Sequence, residues 1–576
     1  MNNKPKRLRL PELTCENLRA VMRERIAATK NERTAVPMLW QGYLELPIGA
    51  ERTAAYYVPQ DTPQGTTVVA MNIPEGDTLS FWEESGWLAL AEEQGFCLYA
   101  LEPGKHGWGS AAGEADYVRD ALDALKCGQY LLAAFAVHLV GYGPIGTQLH
   151  KLAMADPLHT AAAVFFDASD VDAETLAAFR EKEYVSEDKA RGDVLRVPYR
   201  DVPVPVWIAS ARLDEQTADT AAYWKTAAHA GDAAQDARFG TVFRQNADSE
   251  YTREGHILKV AVQERAYAYA DPETTARAFA FLMQYYRYGM GPRSNTVSRK
   301  VDLKAMGVEH HRFTDRNGIE REYLVYVPSA YRDGKKKLPA VLSFHGASQS
   351  MRNMLENGMW YHLADEQGIV LVFPESTLQP MPQELARGMA LADRPLWMLD
   401  DTESAAKEGT YVGELLDRLL EEYPVDPGRI YGTGHSMGCM MTNYLGSTPV
   451  GQRFAALGGT SGCLRVKGEG GGKVPVFFTD GQYELWNYDF NAPGPIGDMV
   501  SLWLEQNGLR RDVCEQSVTG RFHNTVWKDE AGIPWLRYAW VFEKHHVHTY
   551  WENRVFWEEW FSRWTLAPDG SRCYRE

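Results

Sequence analysis

The stretch "RIYGTGHSMGCMMTNYL", Arg429 to Leu445, decides how the C-terminal half of this chain is read. Gly434, Ser436 and Gly438 spell G-x-S-x-G. A β-prone lead-in precedes them, and a helix-like run follows. That context puts the serine on a tight turn from a strand into a helix. Small residues on both sides let the backbones approach, and the hydroxyl then stands above the sheet at a helix N-terminus, where negative charge is favoured. The pattern predicts a nucleophile elbow in an α/β fold.

Such a serine needs an acid and then a histidine, in that chain order. Glu484 follows the apolar strand "PVFFTD", where the acid belongs, with Asp480 as its competitor. His548 lies in "FEKHHVHTYWENRVFWEEWFSRW", between a strand and a terminal amphipathic helix. It is taken as the base, with its neighbours His545 and His546 competing. "PAVLSFHGASQS" ends a strand in His345-Gly346-Ala347. The backbone N–H groups of Ala347 and Met437 are the expected oxyanion donors. His345, His435, Trp397 and Trp486 are candidate pocket residues. The insert Thr377–Leu399 is expected to roof that pocket.

Working outward, the chain repeats itself. "WLALAEEQGFCLYALEP" from Trp87 matches "WYHLADEQGIVLVFPES" from Trp360; Leu90 to Leu363 and Glu102 to Glu375 are both 273 positions apart. "VPVWIASARLDE" from Val204 matches "VPVFFTDGQYEL" from Val474. Two matched units in the same order imply a duplicated α/β domain. The join is expected in Gly289–Asp302, which is polar and Gly/Pro-punctuated. The resulting division is a helical leader over 1–36, a first copy over 37–292 and a second over 293–576.

The first copy carries "LVGYGPIG", Leu139 to Gly146, at the elbow position. Gly141, Gly143 and Gly146 also fit the dinucleotide pattern G-x-G-x-x-G, with Asp167 at the spacing of a ribose-binding acid. That motif ordinarily opens its domain, whereas here "TTVVAMNI" and "FCLYALE" come first. The self-alignment sets Gly143 opposite Ser436 and Tyr267 opposite His548, with Asp214 retained as the acid. The first copy therefore reads as a hydrolase scaffold without its nucleophile.

Composition bounds the partners. Among 576 residues the formal charge is -17, which argues against nucleic acid. No apolar run reaches the ~20 residues of a membrane helix. Seven scattered cysteines without C-x-x-C fit free thiols in a reducing compartment, and the cytoplasm is the expected location. No zinc spacing appears, so no metal is expected. A homodimer through the first copy is one expected role for it.

The motifs "LPAVLSFHGASQS", "EEYPVDPGRIYGTGHSMGCMM", "RFAALGGTSG" and "HTYWENRVFWEEWFSRW" resemble the polyhydroxybutyrate depolymerase / feruloyl esterase group of α/β-hydrolases over about residues 310–565. The resemblance implies hydrolysis of a small-molecule carboxylic ester, without a cofactor. It implies Ser436 as nucleophile, His548 as base, Glu484 as acid, and Ala347 and Met437 as oxyanion donors. The expected architecture is two tandem α/β-hydrolase domains, each a mostly parallel sheet covered by helices. Other readings are a peptidase or acyltransferase on the same triad, a non-catalytic scaffold, or a dinucleotide-binding first half.

Overall fold

The computed structural model describes all residues except 1–5, 12–17, 30–39, 61, 63–66, 127–135, 247–257, 289–290, 293–296 and 381–392. The chain folds as two units. The first comprises Met1–Val185, Arg196–Lys300 and Pro380–Arg394. The second comprises Ser186–Leu195, Val301–Gln379 and Pro395–Glu576. The leader contributes the helix Leu18–Thr29 to the first unit.

Each unit is built on one large sheet, eleven-stranded in the first and ten-stranded in the second. In the second unit the eight central strands begin with Glu309–Thr314 and Glu320–Tyr326, continue with Leu338–Phe344, Val370–Pro374 and Val425–Gly434, and finish with Ala456–Thr460, Val476–Tyr483 and Pro534–His545. Numbered along the chain, they lie in the order 1-2-4-3-5-6-7-8. The second strand runs antiparallel to its neighbours, and strands three to eight pair in parallel. The first unit repeats this order with Gly42–Ile48, Arg52–Val58, Val68–Asn72, Cys97–Leu101, Val137–Tyr142, Thr160–Phe166, Val206–Ser210 and Lys259–Glu264. In both, a hairpin inserted before the last strand extends the sheet edge, Ala230–Asp236 with Gly240–Gln245 and Cys514–Thr519 with Phe522–Lys528. Two tandem α/β sheets of the same strand order, mostly parallel, are thus observed.

The sequence repeat has a local cause. The helices Trp87–Gln94 and Trp360–Gln367 are each entered through a left-handed residue, Gly86 and Met359, and each ends on a left-handed glycine, Gly95 and Gly368. Glycine at that last position avoids the Cβ clash of the left-handed conformation. Each helix then feeds the fourth strand. The matched Val204 and Val474 segments both form the seventh strand, buried throughout in the first unit and up to the half-buried Tyr483 in the second.

The last helix of the second unit, Tyr550–Glu559, holds the end of its sheet through aromatic packing. Phe556 and Trp560 pack against Phe477 with tilted rings, while Trp557 meets Tyr431 edge-on and Phe561 stacks on it. These rings are buried. Burying each apolar side chain contributes about 1.5–3 kcal/mol, which fixes the strand-to-helix junction at residues 545–549.

Candidate active site

The strand Val425–Gly434 leads through His435 and Ser436 into the helix Met437–Gly446. Ser436 has φ 55° and ψ -117°, a region that non-glycine residues rarely occupy. The elbow leaves no room at its flanks. A Cβ on Gly434 would lie 2.4 Å from the Gly438 carbonyl carbon, and one on Gly438 would lie 2.1 Å from the Phe344 oxygen. The two glycines of the motif are therefore required by packing.

The Ser436 hydroxyl lies 2.9 Å from Nε2 of His546, and Nδ1 of His546 lies 2.7 Å from Oε2 of Glu484. Glu484 sits one residue past the seventh strand, as its sequence position suggests, and is buried. Burial alone would push its carboxyl up. The neighbouring His546, Lys544 and the Ser461 hydroxyl bring it down to about 2, so it stays ionised. Asp480 is also buried, but it does not take the acid's place. One of its oxygens accepts from the Trp486 indole, and burial together with the Glu484 charge holds its pKa well above the usual range.

The ring bonded to both Glu484 and Ser436 belongs to His546, where the sequence predicted His548. The Val547 N–H donates to the His545 carbonyl, 2.8 Å, closing a three-residue turn with His546 at its apex. That turn sends the His546 ring toward the elbow. His548, beyond the turn, points into the interior. It is fully buried, with Nε2 2.5 Å from Asn553 Oδ1, and the Asn553 amide donates to the Gly358 carbonyl. His545 is directed elsewhere too, with Nε2 2.8 Å from Ser186 Oγ and its ring stacked on Tyr483.

Below the acid lies a buried polar network. Lys544 donates to Thr460 Oγ1 and Ser461 Oγ, and pairs with Glu552 at 3.1 Å. Glu552 also accepts from Thr460 and Thr479, and caps the terminal helix through Thr549. Burial would raise this carboxyl, but Lys544, His548 and the threonines bring it to about 2. The network ties the acid, the last strand and the terminal helix together.

The loop His345-Gly346-Ala347 runs beside the elbow: a Cβ on Gly346 would lie 3.2 Å from Ser436 Cβ. The Gly346 N–H donates to Gln349, and the Ser348 N–H to the Pro395 carbonyl. The N–H groups of Ala347 and Met437 carry no hydrogen bond among the described residues.

Of the four pocket candidates, Trp486 alone fits an open wall. It is partly exposed, with its ring edge-on to His546 at 5.4 Å. Trp397 is 1% exposed, and its indole N–H is bound to the His345 carbonyl, so it supports the loop from inside. His345 is fully buried, with Nδ1 2.8 Å from the Gly346 carbonyl and Nε2 2.9 Å from Glu375. His435 is also fully buried, and burial pulls its pKa well below the usual value. In each of these three the side chain meets protein on all sides, which overturns its reading as a pocket wall. The expected roof over 377–399 falls largely on 381–392, outside the described residues.

In the first unit Gly143 occupies the elbow with φ 60°, directly after the strand Val137–Tyr142 and as the first residue of the helix Gly143–Ala155. Asp167 (φ 49°) and Ser461 (φ 53°) follow the sixth strands of the two units and are both left-handed. The "GYGPIG" loop thus leads out of the fifth strand, at the position of the Ser436 elbow in the second unit. Gly141 and Gly146 are needed where the turn packs on itself: a Cβ on Gly146 would lie 2.6 Å from the Gly141 carbonyl carbon. Asp167 is occupied by the Tyr269 hydroxyl and the Ala211 N–H, which leaves the ribose assignment without support. Tyr269, whose hydroxyl lies 3.8 Å from where a Gly143 side chain would begin, stands over the elbow. Tyr267 bonds Gln263, and Asp214 is an exposed helix cap that accepts from the Thr217 N–H, so the two are not bonded to each other or to Gly143 in the way a base and an acid would be.

No protein-family model matches the chain. It is similar to the bifunctional acetylxylan esterase/xylanase XynS20E of Neocallimastix patriciarum, at 30% identity over 145 residues, 25% of this chain and 18% of that protein. The chain thus spans under a fifth of that relative. Among solved structures it resembles the acetyl xylan esterase from Aspergillus awamori (14% identity, TM-score 0.36, 44% of this chain and 99% of that one). It also resembles the S-formylglutathione hydrolase from Agrobacterium tumefaciens (16%, 0.31, 44% and 92%). A third is the CE1 ferulic acid esterase from Anaeromyces mucronatus (15%, 0.28, 43% and 86%). Among the described residues no helix is long and apolar enough to cross a membrane.

Proposed function

We propose that this chain is a serine hydrolase of carboxylic esters, acting through Ser436, His546 and Glu484. The observation that carries the reading is the single imidazole bonded at one nitrogen to the elbow serine and at the other to a buried carboxylate. His546 takes the Ser436 proton as Oγ attacks the ester carbonyl. Glu484 holds the ring's orientation and stabilises the imidazolium. The N–H groups of Ala347 and Met437 receive the oxyanion. His546 returns the proton to the departing alcohol, and water then repeats the sequence on the acyl-serine, releasing the acid. No cofactor enters this sequence.

The strained serine supports the same role, since backbone strain is retained where surrounding structure enforces it. Similarity to an acetylxylan esterase, partial as it is, favours esters over amides. Trp486 beside His546 favours a small or aromatic acyl group. The first copy is a degenerate scaffold, and a homodimer through it is a role open to test. The free thiols Cys97, Cys439 and Cys463 are buried and suit a reducing, cytoplasmic setting.

A fluorophosphonate probe is expected to label Ser436 in the full chain, and p-nitrophenyl acetate to be hydrolysed. A Ser436→Ala protein that still hydrolyses the ester would end this reading.

A further inference from the structure

The second unit contains a decapeptide, Ser186–Leu195, that lies far upstream in sequence from everything else in that unit. Its centre is Asp188, fully buried. One carboxylate oxygen accepts from the Ala190 and Arg191 N–H groups and closes the decapeptide's own turn. The other accepts from the Gln482 amide at 3.0 Å and the Tyr488 hydroxyl at 2.9 Å. Gln482 and Tyr488 bracket Glu484, two residues before it and four after. The bonds from one carboxylate oxygen therefore span both ends of the acid loop.

Three further contacts run the same way. Lys189 Nζ donates to the Leu485 carbonyl, 2.5 Å. Ser186 Oγ meets His545 Nε2 at 2.8 Å, next to the apex histidine. Arg191 lies over the ring of Trp540 in the last strand. The Gln482 side chain continues the chain of bonds by accepting from the Glu543 N–H, where the last strand bends with φ 53°. The decapeptide thus touches both the segment that carries the acid and the segment that carries the base.

We propose that Asp188 is a positioning residue: it fixes the Gln482–Tyr488 loop so that the Glu484 carboxylate meets His546. This rests on the serine-hydrolase reading above. It gives residues 186–195, far upstream of the rest of the second unit, a task in the reaction. A loop held at both ends keeps the carboxylate within the narrow range that orients an imidazole.

The test compares the full-length wild type with Asp188→Ala and Tyr488→Phe, using p-nitrophenyl acetate. Folded sites are counted by exhaustive fluorophosphonate labelling. Displacement of a catalytic group by about 1 Å costs on the order of 100-fold, so Asp188→Ala is expected to lose about 10- to 100-fold in kcat per labelled site, with KM little changed. Tyr488→Phe removes one bond and is expected to lose several-fold in the same parameter. A role in stability alone would lower the number of labelled sites and leave turnover per site intact; that result overturns the proposal. If Asp188→Ala does not fold, Tyr488→Phe decides by the same criterion. A wild type that neither labels nor hydrolyses would instead refute the serine-hydrolase reading.

Discussion

Ser436 Oγ and His546 Nε2 are 2.9 Å apart, although 110 positions separate the two residues in the chain. The distance is that of a hydrogen bond ready to pass a proton. It exists because an elbow strained at Ser436 and a three-residue turn at His546 face each other.

His546 and His548 should therefore separate cleanly by mutation. His546→Ala is expected to lower kcat by at least about 10^4-fold, with the fold intact. His548→Ala leaves Asn553 without its partner in the interior and should cost about 1–3 kcal/mol of stability, with turnover per folded site close to wild type. Urea unfolding and active-site-normalised kinetics check both arms. Equal loss of turnover in both variants would contradict the assignment.

Restoring a serine to the first copy should restore nothing. In a Ser436→Ala background, Gly143→Ser would place a hydroxyl near Tyr269, which already donates to Asp167. Burial, first, and then the Asp167 charge hold that phenol above its ordinary pKa, so it is no base at neutral pH. Neither ester hydrolysis nor fluorophosphonate labelling is expected. Labelling at residue 143 would show an intact second site.

Trp486 should set acyl preference. Trp486→Ala is expected to reduce kcat/KM for a feruloyl ester about tenfold more than for an acetyl ester, on the scale of one lost aromatic contact of about 1.5 kcal/mol. Parallel losses on both esters would place Trp486 in the support of His546 only.

The buried carboxylates give an acid limb to stability. Glu484 and Glu552 titrate near 2 in the fold instead of 4.5. Their contribution is complete above about pH 4.5 and drains away as pH falls toward 2. Asp480 works the other way: its raised pKa contributes below about 3.8 and loses effect as pH rises through its folded value. Glu408, also fully buried, is raised by its burial and acts in the same direction as Asp480, so the loss on acidification is the part that Glu484 and Glu552 contribute. Glu552→Gln should flatten this limb. It should also cost about 3–5 kcal/mol at neutral pH, since Lys544 is then buried without its counter-charge. Denaturant titrations at pH 3, 4.5 and 7 measure both effects; an unchanged slope in the variant would remove Glu552 as its source.

What the sequence determined by itself is local or repeated. The elbow is legible because a positive φ beside close backbones demands small residues at fixed spacing, and Gly434, Ser436 and Gly438 supply them. The duplication is legible because two copies must place the same apolar strands and the same helix-ending glycines in the same order. Glu484 is legible from its place just past an apolar strand. Only the tertiary structure decided which histidine faces the serine. Composition does not distinguish residues 545, 546 and 548, whereas the turn at 546 sends the three rings in different directions. It also decided that Trp397, His345 and His435 are interior supports, since burial depends on what the rest of the chain packs over a residue. Asp188 carried no sequence signal at all. A lone aspartate in a polar turn gains its meaning from Gln482 and Tyr488, 294 and 300 positions downstream, and folding alone brings them together.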